Sequence, residues 1–118
     1  MGLPHRLREM LRSDLVPTAE IPAQHGNCYA WISIRRLPED SPIRLKHPAK
    51  RYLVKRVEIQ KDVVERYLQD DADVTPNDCA GYEKYLAEDE EELHAIIAEW
   101  VTNLEDFVEG WKTANPLR

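Results

Sequence analysis

The sequence holds only two cysteines, Cys28 and Cys79, and four glycines among 118 residues. Two thiols cannot build the disulfide framework of a small secreted domain; in a reducing compartment they serve as small buried apolar groups. Gly-x-Gly-x-x-Gly, a phosphate-binding loop and Gly-x-Ser-x-Gly are all missing, which removes the sequence signatures of nucleotide binding and serine hydrolysis. No apolar run approaches the roughly 20 residues that cross a bilayer. Met1 to Met10 carries Arg6 and Arg8 but no apolar stretch, so a secretory signal is not expected. Arg6 also stands where a myristoylation motif starting at Gly2 needs Ser or Thr. A cytoplasmic protein with no membrane association is the expectation.

What is present describes a soluble globular chain, 42% hydrophobic and 32% charged. The length predicts one domain over 1–118, with 112–118 as a loose tail. Charge is divided unevenly. Residues 1–59 hold eleven Lys/Arg and six Asp/Glu, a balance of +5, and residues 60–118 hold five and sixteen, a balance of −11. Either the halves neutralise each other on folding, or the acidic side meets a basic partner. A homodimer joining the basic half of one chain to the acidic half of another is a further option.

Leu3, Leu7, Met10, Leu11 and Leu15 recur at helical spacing and predict a helix over about 3–14, with Arg6, Arg8 and Arg12 on its solvated face. Pro17 ends it, and a loop is expected through Pro22 to Asn27. Cys28 to Arg36 predicts a strand with apolar residues on both sides over its first half. Leu37 to Pro42 is a turn by composition, and Ile43 to Lys46 reads as a short strand pairing back. Residues 51–69 fit either a strand at 51–59 followed by a helix at 61–69, which is favoured, or one long helix. Tyr82 to Ala87 reads either as a strand feeding the last helix, which is favoured because Asp89 is a fresh cap, or as an earlier helical turn after Thr75-Pro76. From Asp89 to Trp111, Leu93, Ile96, Ile97, Trp100, Val101, Leu104, Phe107, Val108 and Trp111 repeat at steps of three and four. This predicts a long amphipathic helix capped by Asp89 and Glu92 and stopped at Gly110. The fold class is therefore α+β: a small antiparallel sheet of three or four strands, with the N-terminal and long C-terminal amphipathic helices packed on it.

Metal chemistry has thin support. His25-Gly-Asn-Cys28 has zinc-ligand spacing, but His47 and Cys79 do not complete it with a second close pair. Asp70, Asp71, Asp73 and Asp78 could wrap calcium, but the glycine and the bidentate glutamate of a calcium loop are missing. Cys79 follows Asp78, whose charge would raise rather than lower a thiol pKa. His94 lies at the edge of the last helix's apolar arc, a boundary position. No cofactor, metal or catalytic residue is assigned.

The acids are the most informative feature. Along Glu83 to Glu109 they far outnumber the single lysine, Lys84. Those at Asp89 to Glu92 suit the positive end of a helix, but Glu105, Asp106 and Glu109 oppose its negative end. No Lys or Arg at i±4 offsets these three within the helix. Glu91, Glu99, Glu105, Asp106 and Glu109, with Asp70, Asp71 and Asp73, are the expected contacts of a basic partner. Tyr82, Tyr85 and Trp111 are its candidate aromatic anchors. Carboxylates at fixed spacing can stand in for backbone phosphates, so a nucleic-acid enzyme is one such partner.

The segment Gly81-Tyr-Glu-Lys-Tyr-Leu-Ala-Glu-Asp-Glu-Glu-Glu-Leu93, with Glu99-Trp100 and the Phe107 to Trp111 ending, resembles small acidic bacterial immunity proteins of polymorphic and contact-dependent toxin systems. The resemblance covers about a quarter of the chain. It implies a non-enzymatic inhibitor that binds a cognate toxin, often a nuclease, and it assigns no individual binding residue. Two alternatives stand beside it. One is a nucleic-acid binder using Arg35, Arg36, Arg44, Lys46, Lys50, Arg51, Lys55 and Arg56, which the net charge of −6 disfavours. The other is a small enzyme or accessory subunit.

Overall fold

The computed structural model describes residues 3–70 and 74–117, with only the backbone of Asp70. Their order is α1 (His5–Arg12), β1 (Thr18–Ile21), β2 (Cys28–Arg36), α2 (Pro42–Lys46), β3 (Tyr52–Gln60), α3 (Lys61–Asp70), β4 (Gly81–Ala87) and α4 (Glu90–Ala98), with short 3-10 turns at Pro76–Asp78, Leu104–Asp106 and Gly110–Lys112. The described strands form one antiparallel sheet in the order β1-β2-β3-β4. The fold is α+β.

Strand alternation sorts the side chains into two layers. On one face, Ala19 and Ile21 of β1, Ala30, Ile32 and Ile34 of β2, Val54 of β3 and Ala87 of β4 bury with Leu7, Met10 and Leu11 of α1 and Leu93 and Ile97 of α4. On the other, Trp31, Val57 and Ile59 bury with Val64 of α3. β2 is covered on both sides, as its two apolar faces predict: Ala30, Trp31, Ile32, Ser33 and Ile34 are all buried. β3 followed by α3 settles residues 51–69 as strand plus helix rather than one helix.

Four stretches differ from the sequence reading. Thr18–Ile21, where the sequence predicts a loop, forms β1, because Thr18, Ala19 and Ile21 are buried and pair with β2. Ile43 to Lys46 is not a strand. Ser41 caps Ile43 N–H, Pro42 starts the first turn, and the result is the short helix α2. Ala114 and Leu117, in the expected tail, pack on the second core, and Asn115 is 1% exposed.

The fourth is the largest. The apolar period from Leu93 to Trp111 does not make one helix; α4 stops at Ala98. Asn103 has an extended backbone, and its side chain accepts the Glu105 N–H at 3.0 Å, which starts a separate turn. The chain then returns to the sheet edge. Val108 exchanges two backbone hydrogen bonds with Thr18, of 2.8 and 3.0 Å. Val101 and Phe107 still bury. The periodicity marks buried or half-buried side chains from Leu93 to Val108 and fails at Trp111, which is exposed, and backbone groups at the β1 edge pair with Val108 where the sequence predicts helix.

Candidate functional site

α4 begins where its cap predicts. Asp89 accepts the Glu92 N–H at 2.8 Å, while the Glu92 carboxylate accepts the Glu88 N–H at 3.1 Å, one residue before the cap. Much of the acidic band is then answered from the first half of the chain. Arg8 lies 3.1 Å from Glu90, and Lys50 lies 3.2 Å from Glu92 and 3.9 Å from Glu88. The Glu88 N–H and Lys50 hold the Glu92 carboxyl below the usual carboxylate range. Glu109 meets Lys112 at 2.9 Å and Arg6 at 4.0 Å, and these cations lower its pKa in the same way. Glu109 therefore leaves the set of unanswered acids.

Glu91, Glu99, Glu105 and Asp106 remain exposed, and their carboxylates make no ion pair among the described residues. Asp71 and Asp73 lie outside the described residues, as does the Asp70 side chain. The aromatic anchors do not converge. Tyr82 and Tyr85 belong to opposite faces of β4: Tyr82 packs on the second core and Tyr85 on the first, with its hydroxyl donating to Glu83. Trp111 is 64% exposed and lies next to Lys112, whose ammonium is 5.2 Å from the indole centre.

Among the described residues no three His, Cys, Asp or Glu side chains group as a metal site. His25 and Cys28 diverge. Cys28 is buried in β2, whereas the His25 ring bonds to Glu58 through Nδ1. Asp78 caps its own turn, accepting from Thr75 N–H at 2.9 Å. No described helix is long and apolar enough to cross a membrane.

Sequence reasoning missed a buried polar cluster. Arg56 and Glu58 point into the first core layer from β3 and are 1% and 0% exposed. Arg56 Nη2 donates to Glu58 Oε1 at 3.0 Å, and its guanidinium lies 4.5 Å from the Trp100 ring centre and 3.8 Å from Glu83. The Gln24 and His25 N–H groups each donate to the Glu58 carboxylate at 2.8 Å. Burial pushes the Glu58 pKa up, but the Gln24 and His25 hydrogen bonds outweigh it and hold the carboxyl below its ordinary value. The cluster ties the loop before β2 to the sheet. Its signal in the sequence was two opposite charges, Arg56 and Glu58, two apart in a strand otherwise rich in apolar residues.

The basic segment 35–56 is dispersed. Arg56 is internal, Lys50 serves the acids of α4, and Arg36 lies 3.9 Å from Asp14. A smaller cationic group forms instead on the second sheet face, where Lys55 of β3 stands directly opposite Lys84 of β4. Lys55 is half-buried. Burial, then the charges of Arg35 and Lys84, lower its pKa. Like charges directly opposite across a ladder destabilise it.

Comparison with protein-family models, with curated proteins and with solved structures finds no match.

Proposed function

We propose that the protein is a non-enzymatic acidic binding protein that inhibits a basic partner, in the manner of an immunity protein acting on a toxin or another nucleic-acid enzyme. One observation carries the reading. After the chain has used its own cations on Glu88, Glu90, Glu92 and Glu109, four exposed carboxylates on α4 and the turn after it are left over: Glu91, Glu99, Glu105 and Asp106. Exposed carboxylates of this kind speed encounter with a cationic surface and supply rim contacts, while the exposed indole of Trp111 offers apolar area for an anchor. The acidic set is smaller than the sequence implied, since Glu109 is spent within the chain. The proposed site of action is the cytoplasm, where such an inhibitor would meet a toxin domain.

The test is recovery of the protein from its native host on an affinity support, at low and high salt, beside a variant with Glu91, Glu99, Glu105 and Asp106 all changed to Lys. A basic protein retained by the native chain, lost from the variant and inhibited on rebinding supports the proposal. Equal retention by both chains, or none by either, overturns it.

A further inference from the structure

The second sheet face is only partly covered. Val64 of α3, with Ala114 and Leu117 near the C-terminus, packs over Trp31, Val57 and Ile59. Toward the other end of β3 and β4, α2 stands beside the sheet and leaves a groove of about 360 Å³. That is at the small end of the range for ligand pockets, about 300–1,000 Å³. Leu53, Leu86 and Ile43 provide its apolar surface, and Lys46, Lys84 and His47 its polar groups. Leu53 and Leu86 are register partners, as are Lys55 and Lys84 one pleat further along, so the cationic pair adjoins the apolar floor. Among the described residues no carboxylate lines the groove.

Several cations elsewhere are answered by carboxylates, although Arg44, Arg51 and Lys61 make no ion pair among the described residues. Arg8, Lys50 and Lys112 each have a carboxylate at 3.2 Å or less. Lys46, Lys55 and Lys84 have none within ion-pair distance among the described residues, although Glu83 is the chain neighbour of Lys84. Two lysines placed opposite each other, with Lys84 at the rim of the groove and Lys55 beside it on β3, reduce the stability of the chain that carries them. A bound anion would remove that repulsion.

We infer that the groove between α2 and the β3–β4 face binds a small amphiphilic anion, with its aliphatic body on Leu53, Leu86 and Ile43 and its carboxylate or phosphate head between Lys84, Lys55 and Lys46. The head is fixed by charge complementarity, and the body by the apolar floor. Neither part suffices: an uncharged chain leaves the lysines opposed, and a bare anion leaves the floor wet. This surface is separate from the exposed acids of α4, so it does not depend on the inhibitor reading.

The probes are octanoate, octyl phosphate, octanol and inorganic phosphate, titrated into the full chain with backbone amide shifts read by NMR. Octanoate and octyl phosphate are expected to move the Leu53, Lys55, Lys84 and Leu86 resonances saturably. Octanol and inorganic phosphate should bind at least tenfold more weakly. Lengthening the acid from hexanoate to octanoate should tighten binding about two- to fourfold per methylene. Lys84→Glu, which places an opposite charge across from Lys55 and so should fold at least as well, is expected to weaken octanoate tenfold or more.

Octanol binding as tightly as octanoate, shifts confined to other surfaces, or an unchanged affinity in a folded Lys84→Glu variant would each overturn the proposal. So would a single-stranded oligonucleotide that outcompetes octyl phosphate, which would assign the lysines to nucleic acid. Self-association of the native chain abolished by Lys84→Glu would assign the face to a second copy and overturn it as well.

Discussion

Arg56 and Glu58 leave the same side of β3 and meet inside the core, Nη2 to Oε1 at 3.0 Å, with almost no exposure of either. Residues two apart on a strand share a face, so the pairing follows from the local backbone. Two charges taken out of water are tolerable only if the rest of their hydrogen-bonding capacity is met. Here Gln24, His25, Glu83 and the Trp100 ring supply most of it, while the buried Arg56 Nε finds no hydrogen-bond acceptor among the described residues.

Removing one member leaves the other charged and buried. Glu58→Ala and Arg56→Ala should each cost about 3–5 kcal/mol of stability. The double change Arg56→Met with Glu58→Met should cost less than the sum of the single losses. Urea denaturation of the three variants checks this; additive losses would mean that the pair is not coupled.

The cluster also sets an acid limit. Glu58 has a folded-state pKa below its unfolded value, so the unfolded chain binds a proton more readily. Its contribution is fully present above the unfolded pKa and is lost as pH falls through the folded one. Unfolding midpoints should therefore drop below the ordinary carboxylate range, and Glu58→Gln should flatten that part of the profile.

Paired and unpaired acids of the C-terminal region should behave differently. Glu90→Gln, which releases Arg8 from its 3.1 Å contact between α1 and α4, should cost about 0.2–1 kcal/mol. Glu91→Gln, in the first turn of α4, should cost about 0.3 kcal/mol through the helix dipole alone. Glu99→Gln, Glu105→Gln and Asp106→Asn should leave the midpoint unchanged. A loss of stability from any of these three would show that its carboxylate serves the fold.

Lys84→Glu turns a repulsive cross-strand pair into an attractive one with Lys55. The expected gain is about 0.2–1 kcal/mol, read as a raised thermal midpoint in buffer without anions that bind the groove. A lower midpoint would mean that the Lys84 contact with Tyr82, 5.5 Å to the ring centre, outweighs the repulsion.

Cys79 should be a slow thiol. Burial first, then the Asp78 charge, push its pKa to about 11. Alkylation by iodoacetamide at neutral pH should be slower than for an unstructured cysteine, and the rate should keep rising as pH climbs toward that value.

The central strands were legible because their signals are local. Cys28 to Arg36 has the bounds expected of it, and the 51–59 strand, the 61–69 helix and the 82–87 strand each shift by a residue at most at either end. β1 was not legible: four residues between Pro17 and Pro22 carry too little pattern, and their strand identity comes from pairing with β2. The C-terminal helix was over-read, because steps of three and four report which side chains bury and not whether the backbone stays helical between them. Among the site residues, Glu91, Glu99, Glu105 and Asp106 keep the exposure expected of them, while Glu109 does not. That distinction rests first on Lys112, three positions along the chain and 2.9 Å away, a spacing that a search at i±4 passes over, and then on Arg6, more than a hundred positions away, which no local pattern contains.

The return of Val108 to Thr18 has a consequence for how copies of this molecule can join. It occupies the start of a border strand only four residues long, so that among the described residues β4 is the longer lateral margin. A sheet that joins neighbours through two margins can grow without end. Joining through β4 alone closes on itself after two copies, so β-addition at that margin should yield pairs and not fibres.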